Sequence, residues 1–352
     1  MNDLTPNDTR KAELLSKQVK HIDITSFDAR PIVDAMADMS FTSRDLGRAT
    51  NIYNQMLADK DCTIFLVIAG STSAGGCMDL YAELLRNNMI DGIVATGASI
   101  VDMDFFEGLG HKHYQALDVP DDDTLRSLLI DRIYDTYIDE EQLQHVDHTI
   151  FEIAETLEPR PYSSREFIRE MGKYLVENGK KENSLVKLAY EHDVPIFCPA
   201  FVDSSAGFGL VKHQVDRAKA GKPYMVLDAI ADFRELTEIK IKAGVTGLLM
   251  IGGGVPKNFI QDTVVCAEIL GHDDVQVHKY AVQITVADVR DGACSSSTLQ
   301  EAASWGKVNT AIEQMVFAEA GSVMPLLASD AYHRGLWKDR PVRKWGASFD
   351  NA

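Results

Sequence analysis

The residues best suited to work on an amine lie in the last third of the chain. "EAASWGKVN", residues 301–309, sets Lys307 behind Trp305 and Gly306, with Glu301 at its head. A lysine held in an apolar slot sheds its proton often enough to attack a carbon–nitrogen double bond. The plain alternative is a surface helix with Trp305 buried and Lys307 in water. Glu301 also has a structural reading, because "TLQE" from Thr298 spells a capping box. It can line a site as well only where that helix end points inward.

Three loops of small residues carry a second kind of chemistry. They are "AGSTSAGG" (69–76), "ATGAS" (95–99) and "IGGGVPK" (251–257), and each follows an apolar run. Glycine lets backbone approach a ligand closely, and a helix N-terminus behind it offers N–H groups to a phosphate. None is a GxGxxG fingerprint, and each alone could be a tight turn. Three at successive strand ends point to a nucleotide pocket. Asp203, in "CPAFVDSSAG", could meet a ribose hydroxyl or a cation there. Asp291 and Glu319 follow later strands in similar places, with an exposed turn carboxylate as the alternative.

The elements that must position these groups read as alternating βα units. "TIFLVIAG" and "VTGLLMIGGG" are continuous apolar runs of the kind buried on both faces of a sheet. "GIVATG", "VPIFCPAF", "YMVL" and "KYAVQITV" add strands, and helices such as "CMDLYAELLRNN" and "PKNFIQDTVVCAEILG" separate them. Ser163 or Ser164 ahead of Glu166 marks a further helix start. The expected fold is α/β, with a doubly wound, mainly parallel, Rossmann-like sheet. Residues 1–58 read as a helical N-terminal extension, and 59–352 as the catalytic domain. An acidic, mostly helical insertion is expected around 118–180.

Composition removes several function classes. The net charge is −18, from 35 basic and 53 acidic residues, which repels nucleic acid and suits cationic partners or simply solubility. No run approaches the roughly 18 apolar residues of a membrane span, and the polar start does not read as a signal peptide. Five scattered cysteines without a CxxC pair argue against a disulfide framework or zinc site, so no metal and a cytoplasmic location are expected. "HKH" at 111–113 is read as a polar turn before a metal site.

Taken together, "IGGGVPKNF" and "EAASWGKV" resemble the deoxyhypusine synthase family. "FTSRDLGRATNIYNQML", "IFLVIAGSTSAGG", "RNNMIDGIVATGAS", "VPIFCPAFVDSS" and "VMPLL" extend the resemblance over nearly the whole chain. It implies a homotetramer with active sites at subunit interfaces, using NAD without net redox change. It also implies transfer of a 4-aminobutyl group from a polyamine such as spermidine, through an imine on a lysine. Lys307 takes the place of that nucleophile and Trp305 that of the wall along the aliphatic chain. Substrate contacts are expected from Glu301, Asn258 and Asp262 as well. NAD is expected at Ser71, Ser73, Gly75, Thr96, Gly97, Ala98, Asp203, Gly252, Gly253, Gly254, Thr285, Asp291, Ala318 and Glu319.

Departures from the family pattern fall in the amine groove. Asn258 stands where the family has a histidine, and the family's acidic positions fall near Phe208 and Cys294. Asp262 stands at a subunit-interface asparagine and is expected to reach in from a neighbouring subunit. Three functions follow. One is aminobutyl transfer between small polyamines, putrescine among them, giving homospermidine or a related product. Another is modification of a lysine of translation factor 5A. The third is NAD binding by a degenerate site.

Overall fold

Six parallel strands form the central sheet of the computed structural model, which describes residues 6–349. In chain order they are β1 (Thr63–Ile68), β2 (Gly92–Ala95), β3 (Ile196–Phe197), β4 (Thr246–Ile251), β5 (Tyr280–Thr285) and β6 (Glu313–Phe317). Their spatial order is β3-β2-β1-β4-β5-β6. It reverses between β1 and β4, which pair from Thr63 against Thr246 to Ile68 against Ile251. Every residue of β1, β4 and β5 is buried, which is why these strands read as unbroken apolar runs.

Alternate side chains of each strand point to opposite faces, so the sheet feeds two cores. On one face Ile64, Leu66, Leu249, Val282 and Ile284 pack with helices 41–58, 78–86, 185–192 and 320–334. On the other, Phe65, Val67, Leu248 and Met250 meet Leu236, Ile239, Ile260, Leu299 and Ala302. The helices that carry the amine-directed residues, 254–261 and 299–304, lie on this second face.

Three expectations need correction. Helix Phe41–Ala58 belongs to the core and is not an appended extension. Its apolar positions Leu46, Ala49, Tyr53 and Met56 are fully buried in the main cluster. The stretch around 118–180 is not simply helical. Ile130–Ile133 and Thr136–Asp139 form an antiparallel hairpin, joined by Tyr134 and Asp135. Tyr134 adopts φ +52° there, a conformation usually signalled by glycine or asparagine, so the acidic stretch hid the turn. Val226–Leu227, from "YMVL", pairs with Pro161–Tyr162 away from the central sheet. Capping boxes at Ser163/Glu166 and Thr298/Glu301 are both present. No helix among the described residues is long and apolar enough to cross a membrane.

Candidate active site

Local backbone geometry explains where Lys307 goes. Helix Leu299–Ser304 ends at Trp305, and Gly306 turns left-handed at φ +71°. Gly306 N–H then donates to the Ala303 carbonyl (3.0 Å) and Lys307 N–H to that of Ala302 (3.1 Å). This paired 5→2 and 6→1 arrangement is a Schellman cap, which folds the chain back under the helix. Trp-Gly-Lys is therefore a helix stop that buries its lysine. Lys307 is 9% exposed and Trp305 is 71% exposed, the reverse of the surface-helix alternative.

The Lys307 slot is polar, where the sequence suggested an apolar one. Nζ lies 2.6 Å from Asp262 Oδ1 and donates to Asn258 Oδ1 at 3.1 Å. Asn258 Nδ2 in turn donates to Asp262 Oδ2 at 2.6 Å. Asn258 sits in helix Gly254–Gln261 and Asp262 caps its end, one turn later, so both side chains face the same way. Asp262 thus meets Lys307 within one chain, where the sequence reading has it reaching in from a neighbouring subunit. The Trp305 ring lies 5.3 Å from Nζ, within cation–π range.

These groups border one cavity of about 580 Å³, walled on its apolar side by Phe233, Val265 and Ile269. All five residues expected to meet the substrate line it: Asn258, Asp262, Glu301, Trp305 and Lys307. Glu301 both caps its helix and faces this space. The Thr298 N–H holds its carboxyl below the ordinary range, so it stays ionised. Cys294 also lines the cavity.

Two buried residues here carry no signal in the sequence. Lys257 is fully buried, and its amine donates to the carbonyl and hydroxyl of Ser297 (2.8 Å to the hydroxyl). Burial pushes this amine down to about 8, and the charge of Lys307 acts in the same direction. Gln283, also fully buried, donates to the carbonyls of Gly252 (3.0 Å) and Ser295 (3.4 Å). It ties the glycine loop after β4 to the loop that walls the cavity. A lone lysine after a glycine triplet and a glutamine inside a strand look like surface residues until the fold closes over them.

The residues expected to hold a cofactor collect at the carboxyl ends of the strands. Ser71, Ser73 and Gly75 follow β1, Thr96, Gly97 and Ala98 follow β2, and Asp203 lies beyond β3. Gly252, Gly253 and Gly254 follow β4, Thr285 and Asp291 follow β5, and Ala318 and Glu319 follow β6. The loops after β1 and β4 flank the reversal in strand order, where open α/β sheets bind ligands. Gly252 needs both its φ of +76° and its bare Cα, since a Cβ would sit 2.9 Å from the Ala69 carbonyl. At Gly70 and Gly75 a Cβ would meet open space, so the loop leaves room beside it. Gly253 is different, because Ser295 of the same chain covers it. Glu319 spends both oxygens capping helix 320–334, through the N–H groups of Gly321 and Ser322. Asp291 accepts from Ala293 N–H and the Ser296 hydroxyl, both at 2.6 Å. Asp203 is exposed at the rim.

"HKH" is a structural turn: His113 is buried against Glu107 (2.7 Å) and His111 meets His145 (2.9 Å). Among the described residues no group of histidine, cysteine and carboxylate side chains could hold a metal ion.

Comparison with known proteins gives the family of the chain. The deoxyhypusine synthase family profile matches residues 31–331. A deoxyhypusine synthase-like protein of Coxiella burnetii is 71% identical over 340 residues, covering 96% of each chain. One of Caulobacter vibrioides is 67% identical over 350 residues, 99% of this chain and 95% of that one. A crystal structure from Entamoeba histolytica, assigned to deoxyhypusine synthase, superposes with a TM-score of 0.59 at 21% identity. It covers 90% of this chain and 97% of the other, a likeness of fold. With its glycine-rich strand ends beside a lysine buried by Trp-Gly-Lys, and matched over nearly its full length, the chain belongs to the deoxyhypusine synthase family.

Proposed function

We propose that the protein is an NAD-dependent aminobutyl transferase that works between small polyamines, in the manner of a homospermidine synthase. One observation carries the reading: a buried lysine amine, held by Asp262 and Asn258, opens onto a cavity of about 580 Å³ beside an exposed indole. That volume is in the range of small-molecule sites. The open space at Gly70 and Gly75 leaves room for a dinucleotide beside the reversal in strand order, which supports reading the sheet as doubly wound and Rossmann-like. Bound there, NAD supplies a hydride acceptor that is regenerated within the cycle.

The chain's own residues do the rest. Glu301 attracts one ammonium of the donor, and Trp305 lines the aliphatic chain. Asp262, 2.6 Å from Nζ, takes the Lys307 proton, while Asn258 fixes the direction of the lone pair. Nζ then attacks the imine carbon of the oxidised spermidine. The carbon–nitrogen bond to 1,3-diaminopropane breaks, that amine leaves, and the aminobutyl group stays on Lys307 as an imine. An acceptor amine, putrescine for homospermidine, repeats the exchange, frees Lys307 and is reduced as product.

The working unit in this reading is a cytoplasmic homotetramer with sites at subunit interfaces. The exposed apolar stripe of Phe208, Val211 and Val215 on helix Ser205–Lys219 supports association between subunits. The test is incubation with NAD and spermidine, borohydride reduction and peptide mapping. An aminobutyl adduct on Lys307, and homospermidine when putrescine is added, are expected. No adduct on Lys307 refutes the mechanism; an adduct that passes only to a lysine of translation factor 5A refutes the small-amine acceptor.

A further inference from the structure

Beneath Lys307 runs a chain of fully buried polar side chains: Lys240, Thr246 and His278. Lys240 Nζ donates to the Gly244 carbonyl and the Thr246 hydroxyl, both at 2.9 Å. An ammonium can only donate, so the Thr246 proton is left for His278 Nδ1, at 2.8 Å. The ring proton then sits on Nε2 and is given to the Ile260 carbonyl at 3.1 Å. Burial first, and the Lys240 charge second, hold the imidazole well below its ordinary pKa, so the neutral ring keeps this single tautomer.

The two ends of His278 reach the two halves of the candidate active site. Its backbone N–H donates to the Lys307 carbonyl at 3.0 Å, and its carbonyl accepts from Asn309 N–H at 2.9 Å. Its ring holds Ile260, which lies between Asn258 and Asp262 on the neighbouring helix. One residue thus grips the segment carrying the amine with its main chain, and the helix carrying the amine's partners with its ring. We propose that His278, oriented by Thr246 and Lys240, is a positioning residue that sets Lys307 against Asn258 and Asp262. This rests on the reading of Lys307 as the nucleophile.

Two near-isosteric variants test it. The amide nitrogen of His278→Gln reaches as far as Nε2 and can still hold the Ile260 carbonyl, whereas the shorter amide of His278→Asn stops at the Nδ1 position. Lys307 is probed without NAD by butanal and cyanoborohydride: its amine adds to the aldehyde, water leaves and the reductant fixes the imine. Peptide mass gives the rate. The His278→Asn variant is expected to slow this alkylation, and to lower kcat with spermidine and NAD, about 10- to 100-fold, as a misplacement near 1 Å does. KM should stay within about twofold, and His278→Gln should return to within about threefold of the parent. Equal behaviour of the two variants, or alkylation of His278→Asn at or above the parent rate, overturns the proposal. If His278→Asn does not fold, Thr246→Val removes the hydroxyl that orients the ring, and about a 3- to 10-fold loss is expected. Parent-like behaviour in Thr246→Val overturns the proposal equally. A parent protein that is alkylated at Lys307 but never turns over spermidine refutes aminobutyl transfer, and leaves the role of His278 readable.

Discussion

The buried carboxyl of Asp232 should make a contribution to stability that is lost as pH rises through neutrality. Asp232 is 3% exposed in helix 229–243. Burial raises its pKa from 3.8 to about 7, even though the Ser164 hydroxyl (2.9 Å) and Arg165 N–H (3.3 Å) donate to it. A folded-state pKa above the unfolded one means that the folded protein binds the extra proton. The stabilisation is complete below the unfolded value near 3.8 and disappears as pH climbs through about 7. Each unit is worth ~1.4 kcal/mol, so between pH 5 and 8 the loss is on the order of 2–3 kcal/mol. Asp102, raised to about 6 by burial, adds to the trend in the parent. Asp232→Asn isolates the larger share, since the amide oxygen still accepts from Ser164 and Arg165. Thermal unfolding of parent and variant at pH 5, 6, 7 and 8 is the assay. Between pH 5 and pH 8 the melting temperature of the variant should gain about 3–4 °C on that of the parent, given the unfolding entropy of a chain this size. Curves that run parallel across this range would show that Asp232 does not titrate there, and the argument from its burial would fail.

Two more substitutions probe the candidate site. Glu301→Gln keeps an acceptor for the Thr298 N–H but removes the charge, so KM for spermidine should rise by about tenfold with NAD binding unchanged; steady-state kinetics and NAD titration check this, and an unchanged KM rules Glu301 out. Gly75→Val should leave the melting temperature in place, because its Cβ meets open space, yet weaken NAD binding at least about tenfold, ~1.4 kcal/mol. Calorimetric titration reads the affinity, and parent-like binding would mean that the loop after β1 is no cradle.

Much of this was legible in the sequence, and the exceptions share a cause. Apolar runs mark β1 and β4 because both faces of those strands are covered, and the Thr298/Glu301 cap follows from local spacing alone. The five residues expected to meet the substrate share one cavity because short stretches of chain place them there, at 258–262 and 301–307. What depends on contacts between distant segments was not legible. No local pattern tells Lys240 and Lys257, which end up buried, from the exposed Lys222 or Lys219. The same holds for His278, whose partners come from residues 246, 260 and 307. Trp305 was misleading in the other direction, since its exposure follows from the left-handed turn at Gly306.

The reversal of strand order has a bearing on biosynthesis. β1, β2 and β3 form one half of the sheet, and β4, β5 and β6 the other. A nascent chain can assemble the first half early, but the free edge of β1 finds its partner only when β4 emerges. That is roughly 180 residues later, about 10–40 s at ordinary rates of translation. During that interval an edge strand destined for full burial is open to pairing with the wrong chain. The late half brings the glycine triplet and every residue that touches the Lys307 amine. Ribosome-bound chains halted before residue 246 should therefore be sticky and dependent on chaperones, and the step that closes this edge is the same one that creates the cleft.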